Sequence, residues 1–296
     1  MSGALLRWLG RGRPADPGRD ELSAELRNQV RRLEIRARQA MEGGLAGQYQ
    51  SAFRGRGLEF EEVREYRRGD DIRTIDWNVT ARTGALHVKR YREERDLTVL
   101  LLVDLSTSTR FGSGVMTVHD TIAEASSLFA LAAARRDRVG AILFDDALRT
   151  VIPPRLGWRH GLRVVREVLG SPPAGRGTAF EPAVRAAGRL LRRRGIVVAV
   201  VDASCPVPRR ELAALARRHD VVLARVMDPM LDRGLPGAAV AVEEGESGRR
   251  GLLMGRTHVP LRPPPPGVEP LELRTDSDYL PAVRALLERR ERRRAH

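Results

Sequence analysis

The chain of 296 residues predicts an α/β protein built on a doubly wound, mostly parallel sheet. Short, near-continuous apolar runs of strand length recur at 97–103, 139–144, 196–201 and 221–226. Such runs suit strands covered on both faces, as in a parallel sheet. Between them lie stretches whose apolar residues return every three or four positions, the period of an amphipathic helix. Strands alternating with helices in this way build parallel crossovers.

Taken in order, residues 1–19 read as a flexible leader, rich in proline and glycine over RGRPADPGR. A second region, 20–95, opens with a helix in which Leu22, Leu26, Val30, Leu33 and Ala37 form one stripe. Asp20 suits its N-cap, and Gly43-Gly44 ends the pattern. One such stripe packs on its own protein or docks a partner. Residues 50–95 are dense in charge and show no usable period.

The region 96–230 carries the sheet. A strand at 97–104 leads to a helix over 117–136, with Val118, Ile122, Ala125, Phe129 and Ala132 along one side. A strand at 139–144 and a hairpin neighbour at 148–152 flank Asp145-Asp146. Helices at 158–169 and 180–194 are separated by the loop SPPAGRGT, and 209–218 is a further helix between the last two strands. The closing region, 231–296, reads as a hairpin of 238–243 and 251–254 turning on GESG, a stiff connector over 263–266, and a helix over 277–294. No internal repeat is visible.

The net charge is +14, and arginine supplies 51 of the 52 basic residues because Lys89 is the sole lysine. Arginine neutralises phosphates, so a nucleic-acid binder is one reading. A compositional bias toward arginine is the other, favoured by an excess spread along the whole chain and by aromatics of only 4%, which leave few stacking platforms. Specific nucleic-acid binding is therefore not expected. Cys205 is the single cysteine, which excludes an intrachain disulfide and a cysteine-based zinc cluster. No apolar run approaches the ~20 residues that span a bilayer, and residues 1–10 lack the order of a secretory signal. The expectation is a cytoplasmic protein.

The first strand of the sheet ends in Asp104-Leu105-Ser106-Thr107-Ser108. Ligands of doubly wound sheets gather at the carboxyl ends of strands. A carboxylate there, with hydroxyls two and four positions on, offers the hard oxygens that magnesium takes. A strand-end turn with local side-chain hydrogen bonds is the plain alternative. Thr178, in the loop before a helix, offers a further hydroxyl, and Asp202 ends another strand on the same edge. On these residues, 96–228 resembles a von Willebrand factor A domain, a Rossmann-like fold. Asp104, Ser106, Ser108, Thr178 and Asp202 match that family's metal-ion-dependent adhesion site. The resemblance implies Mg²⁺ or Mn²⁺ held by the hydroxyls, with the aspartates acting directly or through water, and an acidic residue of a partner protein completing the shell.

Upstream, Gly55-x-Gly57-x-Glu59-Phe60, Arg64-x-Tyr66, Gly69-Asp70-Asp71-x-Arg73-x-Ile75-Asp76-Trp77 and Ala81-Arg82 form a longer signature. It resembles that of the bacterial family called domain of unknown function 58, in which it precedes a von Willebrand factor A-like domain. The resemblance implies a partnership with a MoxR-type AAA+ ATPase or its client. Read physically, the segment sets arginines against carboxylates, which pair bidentately and fix an otherwise loosely patterned stretch. Trp77 is expected to anchor it in apolar surface.

Nucleophilic catalysis finds little support, since the six histidines pair recognisably with neither serine nor Cys205, and GSG at 112–114 and GRG at 175–177 lack the lysine of a phosphate-binding loop. The expected function is a non-enzymatic, metal-dependent binding or assembly module. A metal-dependent hydrolase is the alternative, with Asp145, Asp146 or the Asp70–Asp76 group as its only sources of a base.

Overall fold

The computed structural model describes residues 24–45, 47–49, 52, 58–93, 97–230, 239–243, 250–254 and 261–295. The expected leader, the Asp20 cap and the GESG turn lie outside the described residues. The first helix, α1 (Ala24–Ala40), buries Val30, Leu33 and Ala37, of which Val30 and Ala37 join the protein's own core; Leu22 and the Leu26 side chain of the expected stripe lie outside the described residues. Arg36 fixes the helix on that core through Glu124 at 2.9 Å and Asp278 at 2.7 Å. Gly44, at φ 97°, turns the chain away in the left-handed region that glycine enters without steric cost.

The charged stretch without a usable period folds as an antiparallel pair, β1 (Leu58–Glu65) and β2 (His87–Glu93). Between them lies α2 (Trp77–Thr83). The signature carboxylates are consumed in building this connection. Asp70 takes a two-pronged bond from Arg64, both arms 2.8 Å. Asp71 caps the turn Ile72–Thr74 by accepting from the Arg73 amide. Asp76 caps α2 by accepting from the amides of Asn78 at 3.0 Å and Val79 at 3.2 Å, which satisfies donors a helix start leaves unpaired. Trp77 departs from expectation: it is 67% exposed. It is the first residue of a seven-residue helix that buries none of its side chains.

The central sheet is built from β3 (Thr98–Asp104), β4 (Arg138–Phe144), β5 (Leu148–Arg155), β6 (Ile196–Asp202), β7 (Asp220–Met227) and, after the separate antiparallel pair β8 (Ala239–Glu243) and β9 (Arg250–Met254), β10 (Val268–Arg274). Its order is β10-β7-β6-β3-β4-β5, parallel throughout except for the edge strand β5. The linking helices are α3 (Val118–Ala134), α4 (Trp158–Leu169), α5 (Phe180–Leu190) and α6 (Arg209–Ala216), with α7 (Leu280–Ala295) after β10. Alternate residues of β3 serve two cores. Val99, Leu101 and Val103 join α1, α3, α4 and α7 on one face, while Leu100 and Leu102 join α5 and α6 on the other. Helices thus cover both faces, which is why β3 reads as one unbroken apolar run. Among the described residues no helix is long and apolar enough to cross a membrane.

β10 is an element that periodicity does not reveal, because Glu269, Pro270 and Glu272 interrupt its apolar residues. Its place at the sheet edge tolerates the proline, since a missing N–H there breaks no inner ladder. A buried ion cluster holds it in position: Arg290 of α7 donates to Glu269 at 2.6 Å and to both oxygens of Asp220 on β7, at 2.9 and 2.5 Å. Removing one member leaves a desolvated carboxylate behind. Arg290→Ala is therefore expected to cost about 3 kcal/mol or more in urea unfolding, whereas the exposed neighbour Arg289→Ala changes stability by about 0.5 kcal/mol or less. Equal effects from the two would refute the assignment.

Candidate metal centre

The strand order turns direction beside β3: β4 follows on one side, and after the β5 excursion β6 joins on the other. The crevice outside the carboxyl ends of strands flanking such a switch point is where open α/β sheets bind ligands. Asp104 and Asp202 terminate the two strands that flank it.

Asp104 is fully buried. Its Oδ1 accepts from the Ser106 amide at 2.9 Å, and its Oδ2 faces the Asp202 amide at 3.4 Å. The Ser106 and Ser108 hydroxyls lie 3.0 Å apart. Burial pushes the Asp104 carboxyl up to about 6, the Asp202 charge adding to this and the Ser106 and Asp202 hydrogen bonds offsetting part of it. Among the described residues no lysine or arginine forms an ion pair with Asp104. Asp202 is also buried. It accepts from the Ser204 amide at 3.0 Å and the Ser204 hydroxyl at 2.8 Å.

Thr178 sits half-buried at the end of the loop 171–179. Four bonds seat that loop on the same edge: the Ala174 amide donates to Leu105 O at 2.9 Å, the Thr107 hydroxyl to Gly175 O, the Arg176 amide to Asp146 at 3.1 Å, and the Ala179 amide to Asp145 O at 2.5 Å. Gly175 has φ +78°, and a Cβ there would stand 2.9 to 3.0 Å from the Asp145 and Asp146 side chains. Only glycine lets the loop approach so closely. The structure therefore joins Asp104, Ser106, Ser108 and Asp202 by direct contacts and seats the Thr178 loop on Leu105, Thr107, Asp145 and Asp146 of the same edge.

Two further carboxylates share this edge. Asp145 follows β4, and burial raises its carboxyl above the ordinary range, aided by Asp146 and opposed by the Ala147 amide and Arg149. Asp228 follows β7 and was not singled out by motif. It is fully buried, and accepts from the Ser113 hydroxyl and amide at 2.5 and 2.9 Å, the Met230 amide at 2.9 Å and the Thr275 hydroxyl at 2.8 Å. Burial alone would raise it, but these four donors together hold it below the usual carboxylate range. One carboxylate thus fastens the loop after Ser108 and the end of β10 to the end of β7. The signal for it was present, since the apolar runs before Asp104, Asp202 and Asp228 end alike.

The donor set fits a hard divalent cation, which takes oxygen ligands. Among the described residues no three His, Cys, Asp or Glu side chains cluster at metal-binding spacing. A cation at the β3–β6 junction would accordingly rest on two carboxylates together with hydroxyls. Asp70 and Asp76 are committed to Arg64 and the α2 cap, far along the chain in a separate strand pair.

Together, fold and site define a mixed α/β protein with a mostly parallel central sheet and an oxygen-rich carboxyl edge. The chain belongs to the family described as "Protein of unknown function DUF58", which matches residues 62–262. It is 36% identical over 224 residues to "Uncharacterized protein Mb1516" of Mycobacterium bovis and to "Uncharacterized protein Rv1480" of Mycobacterium tuberculosis, spanning 74% of this chain and 70% of each relative. Among solved structures it is similar to the conserved hypothetical protein BatB from Bacteroides thetaiotaomicron, at 15% identity and a TM-score of 0.44, over 66% of this chain and 99% of that one. An aerotolerance-related membrane protein from Bacteroides fragilis gives 15% identity and a TM-score of 0.44, over 67% and 99% of the two chains.

The environment of Asp104 makes stability depend on pH in a defined direction. In the fold its carboxyl keeps its proton to about 6, against 3.8 when unperturbed. Between those values the folded state binds more protons, so the metal-free protein loses stability as pH rises. Relative to Asp104→Asn, the wild type should lose roughly 3 kcal/mol between about pH 4 and pH 6 and then level off. Urea unfolding of both proteins across that range checks this; a difference that does not vary with pH contradicts it.

Proposed function

We propose that this protein is a non-enzymatic binding or assembly module whose sheet edge holds Mg²⁺ or Mn²⁺ and captures an acidic group on a partner protein. The observation that carries the reading is Asp104: a fully buried carboxylate beside a second one, with hydroxyls at hand and, among the described residues, no ion pair to a basic side chain. Burying such a charge is costly unless a cation or proton neutralises it. Asp104 and Asp202 would carry the negative charge, while Ser106, Ser108 and Thr178 would supply neutral oxygens. Two carboxylates balance the charge of a divalent cation, and a coordination position left open on it would take an oxygen of an external carboxylate. Placement at the switch point supports the same conclusion. The same reading gives residues 96–230 a von Willebrand factor A-like fold, supported by the five matched positions Asp104, Ser106, Ser108, Thr178 and Asp202.

The proposed partner is a MoxR-type AAA+ ATPase or its client in the cytoplasm, an inference from the signature over 55–82 alone. Metal-dependent hydrolysis is the weaker reading. It needs a base, and with Asp70 and Asp76 engaged in local structure it falls back on Asp145 and Asp146.

Thermal melts of the wild type and of Asp104→Ala, each in EDTA or in Mg²⁺ or Mn²⁺, test the proposal. A ligand confined to the folded state adds roughly 2.7 kcal/mol at 100 times its dissociation constant. A metal-dependent rise in the wild type and none in the variant is expected. An equal metal-dependent rise in the two proteins would place the ion elsewhere, and no rise in the wild type would contradict the proposal.

A further inference from the structure

The signature segment between β1 and β2 has a surface that the metal reading does not use. Ile72 is 68% exposed, Trp77 67% and Leu86 45%. The Asp76 amide donates to His87 O at 2.8 Å, and the Tyr66 amide to Leu86 O at 2.8 Å. These bonds set the chain at Trp77 beside the chain at Leu86. The three aspartates hold the scaffold: Asp70 through Arg64, Asp71 as the cap of the turn that carries Ile72, and Asp76 as the cap of the helix that begins with Trp77. Asp76 also meets Lys89 at 3.5 Å. The structure thus spends its carboxylates on holding large apolar side chains in water.

The arginines complete the picture. Arg67, Arg68, Arg73 and Arg82 are exposed, and none of them forms an ion pair with the described residues. With Asp70 and Asp76 paired, the exposed charge over 65–86 is four arginines against Glu65 and Asp71. Tryptophan and arginine are the residue types that dominate binding hot spots, and an exposed tryptophan gains most from being covered.

We propose that the surface formed by Ile72, Trp77 and Leu86, with Arg67, Arg68 and Arg73, docks an acidic protein segment that carries apolar side chains. Charge complementarity selects the occupant. A second copy of the chain would bring arginine against arginine. A nucleic acid would find one stacking ring and two aliphatic side chains that cannot stack, whereas apolar side chains of a protein segment can pack on all three. This surface stands independently of the metal site, and its test requires no metal.

The chain holds three tryptophans, so Trp8→Phe with Trp158→Phe leaves Trp77 as the sole fluorescent reporter. Titrations in EDTA would use four probes: a glutamate–leucine peptide, its lysine–leucine counterpart, a glutamate-only peptide and oligothymidylate. The glutamate–leucine peptide should shift Trp77 emission to the blue and bind about tenfold or more tightly than the other three. Arg68→Glu with Arg73→Glu should weaken it about tenfold or more while leaving the melting curve unchanged, both positions being exposed. Equal or tighter binding of the lysine–leucine peptide or of oligothymidylate would overturn the proposal. So would an emission shift driven by protein concentration alone, or no shift with any peptide.

Discussion

Asp104 has been taken wholly out of water, with no basic side chain among the described residues paired to it, and the carboxyl edge of the sheet is organised around that fact. A carboxylate so placed either keeps a proton, as its upward shift to about 6 expresses, or waits for a cation. Everything that touches it helps by halves. Amides from Ser106 and Asp202 approach it, but Asp202 brings a second negative charge. The parallel register dictates this pairing, because β3 and β6 are hydrogen-bonded neighbours that both end in aspartate at the switch point. Fold and site are therefore one feature at this edge.

The other aspartates of the edge show what a satisfied carboxylate looks like here. Asp228 has four donors and lies below the ordinary range, whereas Asp104 lies above it. The contrast separates a structural carboxylate from a candidate ligand within one sheet edge. Asp228 also fixes the surroundings, since through Ser113 and Thr275 it fastens the loop following Ser108 to the segment that leads into α7. Asp145 stands between these cases, raised by burial but answered by Arg149 at 3.4 Å.

Much of this was legible in the amino-acid order, and the limits have physical causes. β3, β4, β6 and β7 announce themselves because burial on both faces demands unbroken apolar runs. Asp104, Ser106, Ser108 and Asp202 could be grouped because a parallel sheet collects strand ends on one edge. β10 stayed hidden because an edge strand admits Glu269, Pro270 and Glu272, which no inner strand would. The β1–β2 pair stayed hidden because ion pairs and caps, not an apolar face, give its connection shape. Trp77 was misplaced for the same reason: a short helix with no buried side chain offers an indole nothing to pack on. The clamp of Asp228 joins residues 115 and 47 positions away, a contact that local pattern cannot carry.

The most direct test of the central proposal is to count bound ions. Mn²⁺ titrated into the protein and followed by the electron paramagnetic resonance of the free ion gives stoichiometry without reference to stability. One bound Mn²⁺ per chain is expected, displaced by excess Mg²⁺ and lost in Asp202→Ala. Binding that is undiminished in Asp202→Ala, or no binding by the wild type at millimolar Mn²⁺, would contradict it.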